Sequence, residues 1–176
     1  MNKKLFLKNW VKKAEDAGFT YGELITYLSE CKRGVYEIVY ADDSVSKGRI
    51  AGKEIKGVIF ALEGYRVFVL AKYAPKQMTV KESVAYCASI TVRGQACCGG
   101  FRNSWPEGGL LYRYLEQIND VMNYLELEPI DEREIWLSVI AENGNFWAVN
   151  PVSGFACCFY SMSSKLYARP VCLLMS

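Results

Sequence analysis

The spacing of apolar positions divides the chain into a helical beginning and a longer part dominated by strands. Residues 3–30 carry apolar side chains at helical spacing and predict a helical extension over residues 1–33. Within it, Gly18 marks a helix stop, and Thr20 with Glu23 forms a capping-box sequence that satisfies the amides of a new helix start. We therefore expect two short helices ahead of the first strand.

The next apolar runs are β-branched and aromatic, which predicts strands over residues 35–40, 56–62 and 65–71. Only Glu63 and Gly64 separate the last two runs, so these predict a tight hairpin.

A second capping-box sequence, Thr79-Val-Lys-Glu82, predicts the start of a helix. We expect the inward side chains of this helix to be Val84, Cys87 and Ile90. A glycine-rich loop follows over residues 94–109, and Pro106 with Glu107 suits another helix start. The apolar stripe of that helix is Leu110, Leu111, Tyr114, Leu115, Ile118 and Met122.

The last third of the chain predicts strands over residues 135–140, 146–150, 155–160 and 166–174. Asn143-Gly144 and Ser153-Gly154 mark tight turns between them. Because helices and strands occupy separate stretches, we expect one α+β domain over residues 34–176 rather than βαβ repeats.

Composition narrows the chemistry. The 176 residues include no histidine, which excludes a Ser-His-Asp triad, a Cys-His pair and histidine-ligated metals. An enzyme would have to use carboxylates, Lys, Tyr or Cys. The formal net charge of +2 gives no electrostatic case for nucleic acid.

Seven cysteines form neither a disulfide framework nor a zinc site, because the count is odd, two pairs are adjacent, and Cys-x2-Cys spacing is absent. We expect small, buried or half-buried thiols in a reducing compartment. No window reaches the roughly 18 apolar residues of a membrane span. The apolar run near the start ends at Leu7, too early for a signal peptide, which predicts synthesis in the cytoplasm.

Spaced motifs from Tyr40 to Val171 form a recognisable series. They are Tyr40-Ala-Asp-Asp-Ser-Val-Ser, Gly57-Val-Ile-Phe60, Thr79 to Tyr86-Cys87, Gly99-Gly100-Phe101, Gln117-Ile118-Asn119, Trp136-Leu-Ser138, Phe146-Trp147-Ala-Val149, Gly154 and Arg169-Pro170-Val171. In order and spacing the series resembles a family of C-type-lectin-like domains of unknown function, common in gut Bacteroidetes and their phages. That family is related in fold to formylglycine-generating enzymes and to the variable proteins of diversity-generating retroelements. The sequence departs from its pattern at Phe101-Arg-Asn-Ser-Trp-Pro106.

The resemblance implies a C-type-lectin-like fold, but the calcium ligands of lectins are missing. Glu128-Pro129-Ile130 lacks an amide oxygen, and Trp147-Ala-Val-Asn150 lacks an acid. The acidic cluster of Asp131, Glu132 and Glu134 has Arg133 in its midst and is interpreted as a solvated loop. We expect no metal and no other cofactor.

Residues 155–161 form a candidate variable segment. All seven are amino acids that adenine mutagenesis of Asn codons can produce in retroelement-diversified proteins. Aromatic and small side chains together suit an adaptable binding surface. The candidate ligand-binding residues are Ser138, Asn143, Asn145, Asn150, Phe155, Ala156, Cys157, Cys158, Phe159, Tyr160 and Ser161. In the structural alternative, Phe155, Cys157 and Phe159 face the core, which would leave Ala156, Cys158 and Tyr160 facing solvent.

These observations favour a non-enzymatic protein that binds a protein or glycan ligand and is displayed on a virion or cell surface. A thiol-dependent modifying enzyme is one alternative, with Cys157 and Cys158 as its reactive groups. Adjacent strand residues point to opposite faces, which opposes their acting together. The other alternative is an assembly subunit that forms homo-oligomers through its basic N-terminal helices.

Overall fold

A computed structural model describes residues 35–97, 107–140 and 144–174. The predicted N-terminal helices, and the oligomer contacts assigned to them, lie outside these residues. The described elements, in chain order, are β1 (Val35–Tyr40), β2 (Val45–Ser46), β3 (Ile55–Leu62), β4 (Tyr65–Leu70), α1 (Val80–Ser89), β5 (Thr91–Val92), β6 (Gln95–Ala96), α2 (Glu107–Arg113), α3 (Leu115–Tyr124), β7 (Ile135–Ile140), β8 (Phe146–Val149), β9 (Ala156–Tyr160) and β10 (Val171–Leu174). In this described part, no helix is both long and apolar enough to cross a bilayer.

The larger sheet has five antiparallel strands in the order β10-β4-β3-β1-β2. Its centre is the predicted hairpin of β3 and β4. Glu63 and Gly64 both have positive φ, 48° and 85°, which gives the turn the twist that a two-residue hairpin needs. The strands predicted over residues 35–40, 56–62 and 65–71 are confirmed to within one residue at each end.

Both faces of this sheet are buried, which explains the nearly continuous apolar runs of β3 and β4. On one face, Val58, Phe60 and Val67 belong to a core that includes Leu111 of α2 and Ile118 of α3. A second core on the other face consists of Val39, Ile59, Phe68, Leu70, Val92, Cys97, Cys172 and Leu174.

The capping box at the start of α1 is confirmed. The Thr79 amide donates to Glu82 Oε2 at 2.7 Å, and the Glu82 amide donates to Thr79 Oγ1 at 3.4 Å. The predicted inward face is partly wrong, because the helix buries Val80, Ser83 and Cys87 at i, i+3 and i+7. Val84 lies off this stripe and is 47% exposed.

The second helical stretch begins at Glu107 as predicted but is broken at Tyr114, which has φ −109° and ψ 16°. At the break, the side chains of Arg113 and Tyr114 contact Glu63 in the turn of the β3–β4 hairpin. Arg113 Nη1 donates to both oxygens of Glu63 at 2.7 and 2.6 Å, and the Tyr114 hydroxyl donates to the same carboxylate at 2.7 Å. The stripe therefore buries its ends, Leu110, Leu111, Ile118 and Met122, while Tyr114 and Leu115 are half-buried.

A smaller antiparallel sheet has the order β7-β8-β9. The arrangement of antiparallel sheets and separate helices confirms the α+β class. The predicted strand over residues 166–174 is too long. Residues 166–170 form only isolated bridges, Met78 with Leu166 and Ile135 with Tyr167, and Pro170, which has no amide donor, precedes β10.

Gly57 and Gly64 show two different costs of replacing a glycine with alanine, steric overlap at Gly57 and backbone strain at Gly64. A Cβ at Gly57 would collide with the Phe68 ring and the Val69 carbonyl, whereas a Cβ at Gly64 meets open space but needs positive φ. We expect Gly57→Ala to lower the free energy of unfolding by about 2–3 kcal/mol through overpacking. Gly64→Ala, the control for backbone conformation, should cost about 1 kcal/mol. Chemical denaturation measures both, and equal losses would contradict the close packing of β3 on β4.

Candidate functional site

The smaller sheet carries most of the predicted site residues, and its register is irregular. Val149 pairs with Ala156 and Ala148 with Cys157, but Phe146 pairs with Tyr160. Two steps along β8 therefore correspond to three along β9, so that Cys158 and Phe159 together oppose one residue. This is a β-bulge.

The bulge decides which side chains of β9 face inward. Because it adds one residue, Tyr160 falls on the same face as Cys157, the face that carries the buried Trp136. The Tyr160 ring packs edge-on against the Trp136 ring at 5.6 Å, and its hydroxyl donates to Glu134. Phe155, in contrast, is 64% exposed. The alternative that turned Phe155, Cys157 and Phe159 inward is right for Cys157. It is wrong for Tyr160, which it turned outward, because the bulge breaks the alternation between the two residues. It is also wrong for Phe155, which lies in the turn ahead of β9.

Tyr160 is held as a hydrogen-bond donor. Burial, followed by the hydrogen bond to Glu134, raises the pKa of its hydroxyl. The indole of Trp136 is fixed as well, because its Nε1 donates to the Met78 carbonyl at 2.7 Å. Val80 of α1 and Leu166 pack against this face of the sheet.

The turn between β8 and β9 is held by Asn150. Its Oδ1 accepts from the amides of Val152 and Ser153, both at 3.1 Å, and its Nδ2 donates to the Glu132 carbonyl at 3.0 Å. The Gly154 amide donates to the Asn150 carbonyl at 2.9 Å. Both amide atoms of this predicted site residue are thus engaged in building the turn.

Large apolar side chains are exposed around this turn. Val152 is 52% exposed and Phe155 is 64% exposed. Tyr112 of α2, 51% exposed, lies over Gly154 so closely that a Cβ on the glycine would be 2.7 Å from its ring. We call Tyr112, Val152, Gly154 and Phe155 the turn patch.

Sequence reasoning found Phe155 but missed Tyr112 and Val152. A signal for Tyr112 exists, because it is a large aromatic residue outside the apolar stripe of its helix. Its contact with Gly154 joins positions about 40 residues apart, so the local sequence pattern does not indicate it.

The other predicted residues are distributed as follows. Ser161 is exposed, and its Oγ lies 2.9 Å from that of Ser163. Asn145 is half-buried and engaged in interactions. The side chains of Ser138 and Phe159 belong to β7 and β9 but are not described, and Asn143 lies outside the described residues. Ala156, Cys157 and Cys158 are half-buried, so the segment is not wholly buried.

The described cysteines form no disulfide. Cys87, Cys97 and Cys172 are buried, while Cys157 and Cys158 are half-buried. No hydrogen bond or ion pair between described residues joins a cationic side chain to either of the last two thiols. The thiol-dependent enzyme stays an untested alternative.

A second polar centre surrounds Tyr73. The Arg133 guanidinium lies 4.0 Å from the centroid of its ring, and the Arg169 guanidinium lies 4.8 Å from it. Arg169 Nη2 donates to the Glu128 carbonyl at 2.8 Å. Burial raises the pKa of the Tyr73 hydroxyl to about 12 and lowers that of Arg169 to about 10, so both keep their protons at neutral pH.

The loop after α3 was predicted to be solvated, and its charged side chains are partly exposed but are paired with one another. Arg133 donates to both oxygens of Asp131 at 2.9 Å and to Glu128 Oε1 at 2.5 Å. Glu134 accepts from Tyr160, and only Glu132 is exposed. Within the described ranges, no three potential ligands are placed to hold a metal ion.

No protein-family model, curated protein or solved structure matches this chain.

Because Arg133 stabilises ionised Asp131, we expect the free energy of unfolding to fall in acid. Partial burial opposes ionisation of Asp131, but the hydrogen bonds from Arg133 outweigh it and lower the pKa of the carboxyl below its ordinary value of 3.8. Its contribution is therefore complete above that value and is lost as the pH falls through the folded-state pKa.

We expect Asp131→Asn to cost about 1 kcal/mol at pH 6, since the pair is partly exposed to solvent. The variant should also lose less stability than the wild type between pH 5 and the acid limit. Thermal melts across this pH range measure both effects, with Glu132→Gln as the exposed control. An unchanged pH profile for Asp131→Asn would contradict the contribution assigned to the pair.

Proposed function

We propose that this chain is a non-enzymatic ligand-binding protein with a C-type-lectin-like fold, which binds a protein or glycan through the turn patch and the adjoining residues of β9. The observation that carries the proposal is the exposure of three large apolar side chains, Tyr112, Val152 and Phe155, around one turn. Clustered apolar surface is costly in water and marks interaction sites more often than scattered apolar residues do.

The rigidity of the turn supports the proposal. Asn150 holds the backbone amides at the tip, and Ser153 Oγ accepts from the Phe155 amide at 3.2 Å. A ligand would therefore not have to order the loop that it contacts. Aromatic side chains add large contact area at low entropic cost, which is why adaptable paratopes use them.

The residues that carry the family resemblance are mostly framework residues, and this supports the proposed fold. The Tyr40 hydroxyl accepts from the Ile50 amide at 2.7 Å and donates to the Gly48 carbonyl at 3.0 Å, which closes the loop after β2. Trp136 anchors the smaller sheet, and Arg169 is fully buried. Motif positions with such roles are expected to recur within a fold, whatever ligand its members bind.

The buried motif residues are separate from the exposed turn between β8 and β9. This separation supports a more specific proposal, that the chain is a retroelement-diversified protein. Phe155 and Ser161, at the two ends of the suspected segment, are exposed. Sequencing the DNA beside the gene tests this part. A reverse-transcriptase gene with an imperfect template repeat of the coding region for residues 155–161 is the expected result, and a locus without them would contradict diversification.

The binding proposal is tested with Phe155→Ser. The wild type and the variant are applied to a printed glycan array and to a displayed peptide library. We expect each ligand selected by the wild type to bind the variant at least about tenfold more weakly, as loss of a central aromatic anchor does. Surface plasmon resonance measures the affinities.

Val84→Ser is the matched control, because Val84 is also an exposed apolar residue but belongs to α1. It should leave the affinities unchanged. The melting temperature of Phe155→Ser should stay close to that of the wild type, since the ring is mostly in solvent. Ligands that bind the Phe155 variant as well as the wild type would contradict the proposed surface.

A further inference from the structure

The backbone amides of the turn between β8 and β9 are all used within the turn. Those of Val152 and Ser153 donate to Asn150 Oδ1, both at 3.1 Å. That of Gly154 donates to the Asn150 carbonyl at 2.9 Å, and that of Phe155 donates to Ser153 Oγ at 3.2 Å. The other residue of the stretch 151–155 is a proline, which has no amide hydrogen. The stretch therefore leaves no backbone N–H group for a ligand.

The described side chains around the turn offer few donors. Asn150 Nδ2 donates to a backbone carbonyl of the loop after α3 at 3.0 Å, and residues 151–155 carry no charge. Arg113, the neighbour of Tyr112 in sequence, donates to both oxygens of the carboxylate in the β3–β4 turn. The hydroxyls of Tyr112 and Ser153 remain as side-chain donors of the described turn.

This shortage of donors discriminates between classes of ligand. A sugar carries several hydroxyl groups, and each of them donates and accepts hydrogen bonds in water. Burying a hydroxyl without a partner costs free energy, and the turn supplies few partners. An anionic sugar also meets no cation within residues 150–155. An apolar side chain loses no hydrogen bond when it leaves water, and it gains contact with exposed apolar surface.

We propose that the ligand of the turn patch is a protein segment with apolar side chains and not a glycan. The inference rests on the binding function proposed above and narrows its ligand to one class. Phe155 and Tyr112 are the aromatic anchors of this contact, and Val152 completes its apolar centre. Aromatic anchors at an apolar centre carry most of the binding energy in protein interfaces.

An uncharged apolar contact has a distinct thermodynamic signature. Burial of apolar surface gives a negative heat-capacity change on binding, and a contact without ion pairs responds little to salt. The probes are peptides that the wild-type chain selects from a displayed library and that Phe155→Ser binds weakly. Isothermal titration calorimetry should give a negative heat-capacity change and an affinity that differs by less than about twofold between low and high salt.

Tyr112→Phe separates the ring from its hydroxyl. The variant keeps the ring atoms that contact Gly154 and removes the donor. We expect it to bind the selected peptides within about twofold of the wild type, whereas Tyr112→Ser, which removes the ring, should bind them at least about tenfold more weakly. A site that recognises sugar hydroxyls would instead lose affinity in Tyr112→Phe, because a buried hydroxyl would lose its partner.

Val152→Thr tests the third apolar side chain. Threonine has the branching of valine but carries a hydroxyl in place of a methyl group, so the turn keeps its backbone preference. Against an apolar partner this hydroxyl is buried without a hydrogen bond, which should weaken binding about tenfold. Val84→Thr, the same change at an exposed valine of α1, should leave the affinity unchanged. Melting temperatures establish that each variant is folded.

The outcomes separate the ligand class from the binding function on which it rests. Ligands found only on a printed glycan array, and weakened by Phe155→Ser, would confirm the surface and overturn the ligand class. Selected peptides that lose affinity in Tyr112→Phe, or keep it in Val152→Thr, would also overturn it. If neither the array nor the library yields a ligand that depends on Phe155, the turn patch is not the binding surface and both proposals fail.

Discussion

The fold depends on one buried positive charge. Arg169 is fully buried, donates through Nη2 to the Glu128 carbonyl and stacks on the Tyr73 ring, while its Nε and Nη1 have no hydrogen-bond partner among the described residues. A charge removed from water in this way is tolerable only if the surroundings are arranged for it. Here the aromatic face of Tyr73 and the negative charges of Glu128 and Asp131 compensate it, against the repulsion of Arg133. Removing such a partner typically costs about 3–5 kcal/mol.

The position of this charge links the two sheets. Tyr73 follows β4, Glu128 follows α3, and Arg169 lies just ahead of β10. The segment that carries Arg169 also meets the smaller sheet, since the Trp136 amide of β7 donates to the Tyr167 carbonyl at 3.1 Å. The guanidinium therefore fixes the junction from which β10 enters one sheet and β7 enters the other. The Arg-Pro pair noted in the sequence thus has a physical reason.

Local patterns predicted most of the fold and part of the site. Alternation and turn chemistry gave β1, β3, β4 and the Glu63-Gly64 hairpin almost to the residue, since these depend on neighbours in sequence. The break at Tyr114 could not be predicted, because it accompanies a contact with Glu63, about 50 residues away. The orientation of Tyr160 was predicted wrongly because a bulge does not change the composition of a strand and so cannot be read from its sequence. Phe155 was found within its segment. Tyr112 stands out in the sequence only as an aromatic residue off the apolar stripe, and its place in the turn patch depends on the tertiary contact with Gly154.

The pairing of β4 with β10 has a consequence for the order of folding. Val69 meets Val171 across about 100 residues of chain, whereas the β3–β4 hairpin closes over two. Hairpins form in microseconds, but distant pairings have to meet the entropy of loop closure first and take milliseconds to seconds. During synthesis, β4 therefore waits with apolar residues on both faces and an unoccupied edge. The nascent chain passes through its most aggregation-prone stage then, and the stage ends when β10 docks.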